Sequence, residues 1–366
     1  MADSTKTTGS TDREFIHRFN MKVAGNRIPL SGTLDLTRQC NLKCIHCYLG
    51  KDCSRSKNDF HEAGTEKWLE IIDEITDAGC LHLLITGGEP LLKKDFLNIY
   101  RHAKMNGLLV TVFSNGTCID DTIIDTFVDL PPQAIEISLY GATEDTFERI
   151  TGVKGSFQKC IAGIRRLLDH GINLKLKTIL MSINRHEFSD IEHYAQELGV
   201  KFRFDAALFP CLNGDQSPLD FRIHPEEAVN KEMSNTERRR EWQDFYNKMK
   251  DSPVSDSLYD CGAGLTAFYI DPHAKMHPCL MAAEPEYDLL HGDFKTGWKE
   301  VMPKIISRQK SSDHPCINCK KTSLCGYCPA FFRLENGVEE ICSDYLCRIG
   351  NERFKAICSY QVEGGI

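Results

Sequence analysis

The chain has 366 residues, 41% of them hydrophobic, with 17 cysteines and a formal net charge of −8. That length holds one large core, or one large and one small domain, and the negative charge gives no basis for a nucleic-acid partner. No run approaches the roughly 18 apolar residues of a membrane span, and the polar start MADSTKTTGSTDREF has no signal-peptide stretch, so the cysteines point to a reducing cytoplasm and metal ligation rather than disulfides.

Residues 1–30 read as a polar N-terminal extension. Over 31–210 strand and helix alternate. A strand at 32–37 runs into the first cysteines, and a helix at 65–78 carries Trp68, Ile71, Ile72 and Ile75 at helical spacing. Strands follow at 81–86, 109–113, 134–139, 172–180 and 200–208, with helices at 96–105, 121–128, 157–170 and 187–198 between them. Six strands alternating with helices predict an α/β fold with a parallel sheet, open or closed into a barrel. In such folds ligands bind at the C-terminal ends of the strands. The loop at 40–47, Gly87-Gly88-Glu89-Pro90 and Ser114-Asn115-Gly116 all follow strand ends, so they should converge on one mouth. Residues 211–252 read as a polar bridge and one long charged helix at 225–249, where Arg238, Arg239 and Arg240 form a solvated face. Residues 253–366 hold Cys261, Cys279, Cys316, Cys319, Cys325, Cys328, Cys342 and Cys347 among short strands and turns. With few continuous apolar runs there, bound metal should supply much of the folding energy.

Cys40, Cys44 and Cys47 are spaced Cys-x3-Cys-x2-Cys. Three thiolates on one short loop can hold three irons of a 4Fe-4S cluster and leave the fourth open to a small chelating ligand, a position that the four-cysteine set of an electron carrier closes. A structural zinc would want a fourth ligand, and His46 is too near Cys44 and Cys47 in sequence to complete a tetrahedron with them easily. The two glycines of Gly87-Gly88-Glu89-Pro90 let backbone approach a ligand. Their free polar groups can bond an amino-acid ammonium, and Glu89 adds a charged acceptor; an ordinary turn is the plain alternative. Ser138 ends a strand in ISLYG, a position suited to ribose hydroxyls or a carboxylate. Ser114 and Asn115 end the strand before it. Arg149, on the next helix, can pair with a ligand carboxylate or stand on the surface. Lys175 and Lys177 alternate along one strand, one face of which looks into a barrel.

Over residues 30–210 these features resemble the radical S-adenosylmethionine (SAM) superfamily. The resemblance implies a partial (β/α)6 TIM-like barrel, with the cluster on Cys40, Cys44 and Cys47, the methionine-ammonium motif on Gly87, Gly88, Glu89 and Pro90, and the ribose serine at Ser138. Tyr140 stands where some members carry an Asp. It further implies that SAM chelates the open iron, and that one electron, from a donor such as flavodoxin or ferredoxin, cleaves it to methionine and a 5′-deoxyadenosyl radical that abstracts a substrate hydrogen.

Cys316-x2-Cys319-x5-Cys325-x2-Cys328, followed by Cys342 and Cys347, is similar to the SPASM extension with its auxiliary iron-sulfur clusters, and Cys261 and Cys279 to that extension's first half. Ala274 replaces its usual glycine, and the last spacing is x2 rather than the commoner x3. The implied allocation is Cys316, Cys319, Cys325 and Cys347 for one cluster. Cys261, Cys279 and Cys328 make the other, with Cys342 as its fourth ligand or a bystander. A zinc knuckle is the alternative for the quartet. Of the remaining six, Cys80 and Cys160 fall in apolar patterns and belong to the core. Cys211 lies in the bridge as an inert thiol or one near the substrate cavity, and Cys53, Cys118 and Cys358 have weak claims.

The SPASM resemblance implies an oxidoreductase acting on a ribosomally made peptide or protein side chain. Haem-pathway relatives that modify a tetrapyrrole side chain are the runner-up. Sulfatase maturation is disfavoured because Leu280 stands where those enzymes place an Asp. Too few residues precede the first strand for a winged-helix leader-binding domain, so leader recognition would fall to a separate protein. A non-catalytic iron-sulfur carrier or redox sensor has no use for the open-site triplet or for GGEP. No residue declares itself as the catalytic base.

Overall fold

The computed structural model describes residues 12–50, 62–251 and 255–363. The polar extension contains a largely exposed helix, α1 (Asp12–Gly25). The strands β1 (Ser31–Asp35), β2 (His82–Thr86), β3 (Leu109–Ser114), β4 (Ala134–Ser138), β5 (Leu174–Ile179) and β6 (Lys201–Asp205) lie side by side in chain order, each parallel to the next. Between them run α2 (Thr65–Asp77), α3 (Phe96–Met105), α4 (Asp121–Asp129), α5 (Glu144–Thr151), α6 (Ser156–Asp169) and α7 (Phe188–Glu197). One sheet face is apolar: Leu83, Ile85, Val112 and Leu176 meet Ile71 and Ile164 in a single core under the helices. Each such side chain stabilises the fold by roughly 1.5–3 kcal/mol. The opposite face carries the polar residues of the same strands, because successive side chains alternate.

The sheet does not end at β1. β7 (Ala267–Ile270) pairs parallel to β1, and β8 (Lys275–His277) and β9 (Tyr287–Asp288) add antiparallel strands, giving the open order β6-β5-β4-β3-β2-β1-β7-β8-β9. The fold is therefore α/β with a partial, unclosed barrel. The cysteine-rich region contributes three of the nine strands and covers the edge that β1 would otherwise leave unpaired.

The single charged helix expected at 225–249 is two, α8 (Pro225–Ser234) and α9 (Thr236–Met249). Asn235 breaks them: its backbone is extended and its side chain caps α9 by accepting the Arg238 N–H at 3.0 Å. Short helices α10 (Phe294–Thr296), α11 (Pro303–Ile306) and α12 (Thr322–Cys325) precede α13 (Pro329–Asn336) and the 20-residue α14 (Asp344–Glu363). Leu346, Ile349 and Ile357 of α14 join Val229 and Met233 of α8 and Leu180 and Ala206 beyond β5 and β6 in a second core. The Tyr345 hydroxyl donates to the Ala206 carbonyl, and Arg353 binds Glu232 at 2.7 Å. These contacts seat the C-terminal region on the ends of the barrel strands. No described helix is long and apolar enough to cross a membrane.

Candidate functional site

β1 leads directly into the loop carrying Cys40, Cys44 and Cys47, and neighbouring strand ends clamp that loop. The Gly88 and Glu89 N–H groups donate to the carbonyls of Thr37 and Gln39, at 2.6 and 2.8 Å. On the other side the loop's own N–H groups, at Lys43 and Ile45, donate to Thr151 and Ile150 at the end of α5. Asn115 Nδ2 reaches Asn41 Oδ1 at 2.9 Å, and Leu212 N donates to the Tyr48 carbonyl. The three thiols are half-buried. Burial pushes Cys40 up to about 12 and raises Cys47. The Leu42 N–H and, more distantly, Asn115 Nδ2 point at Cys40 Sγ, 3.4 and 3.9 Å away. Desolvated thiols with N–H donors aimed at sulfur suit a bound metal, which ionises them outright. The residues present fit an iron-sulfur cluster.

His46 is buried with its ring edge-on to Tyr140, 4.6 Å between centroids, and burial holds it neutral with a pKa lowered to about 4. The buried Cys211 thiol donates to the Cys47 carbonyl at 3.3 Å, so the bridge segment supports the cysteine loop.

In GGEP the glycines serve backbone-to-backbone contact. A Cβ on Gly88 would lie 2.5 Å from the Gln39 carbonyl oxygen, and one on Gly87 2.8 Å from that of Thr37. The Gly87 and Gly88 carbonyls accept no hydrogen bond from described residues, so both remain available as acceptors. Glu89 departs from expectation. It is 0% exposed, and its carboxylate accepts from Ser114 Oγ, the Asn115 N–H and the Leu91 N–H at 2.9, 2.7 and 3.2 Å. Its acceptors are turned inward to join two strand ends rather than held out for a ligand. Ser114 and Asn115 are likewise occupied as struts, and the buried Pro90 opens a short 3-10 turn, Pro90–Leu92.

Ser138 pairs in register with Lys177 and lies beside Tyr140, whose phenol is raised well above its ordinary value by burial, with the three loop cysteines adding to the shift. On this polar face the Lys177 ammonium sits 3.0 Å from the Phe113 ring centroid, and burial, then Arg203, pushes its pKa well down. Arg203 binds Glu136 at 2.7 Å, and Lys175 is 3.7 Å from the same carboxylate. Arg149 is not brought into this group: its side chain is 60% exposed and 3.8 Å from Asp145 on its own helix. A buried pair missed from sequence closes the other side. Asp35 accepts from the Tyr269 hydroxyl at 2.6 Å and meets Arg38 at 3.0 Å, while burial pushes it up to about 6. No local signal marks it, because the partners are 234 residues apart.

The distal cysteines gather in two groups. Burial raises the thiols of Cys279 and Cys328; Cys261 adds to the shift of Cys279, and Cys279 and Cys261 to that of Cys328. The Ala282 and Phe331 N–H groups donate to Cys279 and Cys328 Sγ at 3.3 and 3.4 Å. Cys316, Cys319, Cys325 and Cys347 make the second group. Cys342 stands with this second group, its sulfur 3.3 Å from that of Cys316. His314, not anticipated from sequence, joins Cys316 and Cys342 with ligand atoms within 4.8 Å of one another. Thiol donor sets with N–H groups aimed at sulfur again fit iron-sulfur clusters. Cys80 and Cys160 are core, Cys118 and Cys358 are half-buried, and Cys53 lies outside the described residues.

Residues 34–198 match the radical SAM superfamily. The chain is 29% identical over 236 residues to the AdoMet-dependent heme synthase of Methanosarcina barkeri, covering 63% of this chain and 62% of that protein. Over 315 residues it is 26% identical to the mycofactocin maturase MftC of Mycobacterium tuberculosis, covering 82% of this chain and 78% of the relative. The crystal structure of Streptococcus suis SuiB bound to precursor peptide SuiA superposes with a TM-score of 0.70 at 16% identity, over 95% of this chain and 83% of that one. That likeness is one of fold, and it extends through the cysteine-rich region.

Proposed function

The chain carries a radical SAM domain over residues 34–198, and on that premise we propose that it modifies a side chain of a ribosomally made peptide or protein. The carrying observation is the clamped loop of Cys40, Cys44 and Cys47, with the acceptor-rich Gly87-Gly88 turn bonded to it on one side. When bound, a 4Fe-4S cluster held by Cys40, Cys44 and Cys47 would supply one-electron reduction of SAM from an external donor, and with it the means to remove a hydrogen atom from substrate.

Each residue has a task around that pair. The three cysteines hold iron and leave one position open. The Gly87 and Gly88 carbonyls accept the SAM ammonium. Glu89, Ser114 and Asn115 fix the turn against the cysteine loop, and Ser138, beside Tyr140, meets the ribose. Lys177 and Arg203 line the polar face of the sheet. Arg149 is exposed and takes part only if α5 or the ligand brings it in. The two distal groups hold auxiliary clusters. Units 31–210 and 253–366 divide this work between core and auxiliary domain, joined by 211–252.

Similarity to a mycofactocin maturase over most of both chains, and a fold shared with a protein seen bound to its precursor peptide, support a peptide substrate. A tetrapyrrole side chain is the second reading, favoured by the heme synthase similarity over a smaller share of each chain.

The test is anaerobic reconstitution with iron and sulfide, reduction, and addition of SAM. Formation of 5′-deoxyadenosine is expected, with loss of all activity in Cys44→Ala; a fully loaded wild type that leaves SAM intact would refute the reading. A short peptide encoded beside the gene should then change mass on incubation, whereas a mass change in an iron porphyrin instead would select the second reading.

A further inference from the structure

Two buried donors beside the second distal cysteine group have no acceptor among the described residues. His314 is 4% exposed, and its Nδ1 accepts the backbone N–H of Cys316 at 3.1 Å. A ring nitrogen that accepts carries no proton, so the neutral imidazole bears its proton on Nε2. Nε2 is buried and has no hydrogen-bond partner among the described residues. The Tyr327 hydroxyl is in the same condition, and its ring meets that of His314 edge-on with 6.1 Å between centroids. Each buried donor left without an acceptor costs about 1–3 kcal/mol. Two of them together call for an acceptor that protein atoms do not supply.

The surroundings identify it. One ring nitrogen of His314 and the sulfurs of Cys316 and Cys342 lie within 4.8 Å of one another, and the two sulfurs are 3.3 Å apart. Tyr327 lies between Cys325 and Cys328 in the chain, and Cys316, Cys342 and Cys328 are the charges it feels most after its burial. The missing acceptor is therefore sulfur. His314 is not itself a ligand. A ligating Nε2 would have to lose its proton to Nδ1, which is already occupied by the Cys316 N–H, and five cysteines already exceed the four that one cluster needs.

We propose that His314 Nε2–H and the Tyr327 hydroxyl donate hydrogen bonds to sulfur of the auxiliary cluster held by the group of Cys316, Cys319, Cys325, Cys342 and Cys347, and raise its reduction potential. A donor at sulfur draws electron density from the cluster and stabilises the reduced form, which carries one more negative charge. The effect makes this group a better electron acceptor than it would be without the pair. His314 and Tyr327 are positioning residues: they act through the cluster and touch no substrate. The inference rests on the reading of the distal cysteines as iron-sulfur ligands.

The test is a potentiometric titration followed by electron paramagnetic resonance. It uses the full chain, reconstituted anaerobically, with Cys40, Cys44 and Cys47 replaced by Ala so that only the auxiliary signals remain. His314→Leu and Tyr327→Phe remove one donor each at similar volume. Iron content equal to the parent and a lower midpoint for the same one auxiliary signal are expected in both. His314→Gln, whose amide N–H can stand in for Nε2–H, should move the midpoint back toward the parent. Full iron with unchanged midpoints overturns the proposal. A parent that binds no iron overturns the cluster reading instead. Should the Leu variant fail to load, the parent with 15N-histidine gives an independent readout in its reduced state. A weak nitrogen coupling that transmits through a hydrogen bond supports the donor role, and either no coupling or one of the size of direct iron ligation overturns it.

Discussion

Glu89 is fully buried and bonds three donors of its own fold, two of them backbone N–H groups. An amide in its place can accept through only one oxygen, and its NH2 would face a donor, so Glu89→Gln should destabilise by about 1–3 kcal/mol. The acid form matters too. Burial pushes its pKa from 4.5 to about 7. Between those values the unfolded chain has released the proton and the folded one has kept it. The folded state then binds more protons, so stability falls as pH rises through this window, by on the order of 3 kcal/mol in all. His46, held at about 4 against an ordinary 6.5, has the opposite sign over 4 to 6.5, which is why wild type and variant are best compared with each other. The gap in urea midpoint between wild type and Glu89→Gln should narrow from pH 5 to pH 8; a gap that stays constant would show that Glu89 is ionised throughout.

At the scale of elements, the site depends on two backbones touching. Gly88 sits where a Cβ would be 2.5 Å from the Gln39 carbonyl oxygen and 2.8 Å from that of Arg38, both main-chain atoms that cannot swing away. Gly88→Ala must therefore push the cysteine loop off the turn. We expect at least a ten-fold fall in 5′-deoxyadenosine formation, about 1.4 kcal/mol of lost stabilisation, and wild-type rates with full iron would show the contact to be dispensable. Contacts of this kind explain what could be read from sequence. The cysteine triplet, GGEP and the amphipathic helix over Trp68, Ile71, Ile72 and Ile75 are local patterns, and the structure has α2 and α3 within a residue of expectation. Asn235 was legible only as one polar residue in a charged run, so the break between α8 and α9 was missed. The helix α14 was hidden because cysteines and Gly350 interrupt its apolar stripe. Ala274, in place of a glycine, takes a left-handed φ of 58° while fully buried, so the turn survives the substitution with the strain that glycine would avoid. The polar face of the sheet was half legible: Lys177 alternates as a strand residue should, but its seat over Phe113 depends on two strands far apart in the chain.

Across the whole molecule, the supports of the first cysteine loop and those of the distal groups are largely separate. The backbone partners of the loop are Gly88, Glu89, Ile150, Thr151 and Leu212, all in the N-terminal half or the start of the bridge. Cys316, Cys319, Cys325, Cys328, Cys342 and Cys347 lie on α12 and α14, at the start of α13, or in the turns before these helices, which rest on the second core. Cys279 packs against a smaller core of Leu258, Tyr259 and Ile305. The sheet joins the halves through β1 and β7, and Tyr269 of β7 reaches Asp35 just before the loop. Replacing Cys319 and Cys325 together by Ala should therefore remove about four irons per chain, the content of one 4Fe-4S cluster. The variant should still cleave SAM slowly when no substrate is present, because nothing that clamps Cys40, Cys44 and Cys47 has moved. On the proposed reading the distal groups take the electron left on the substrate radical, so modification of the substrate should be lost. The measurement is iron content with the rates of 5′-deoxyadenosine and modified-product formation on one preparation. If SAM cleavage disappears along with those irons, the halves are coupled through β1 and β7 more tightly than their separate cores imply.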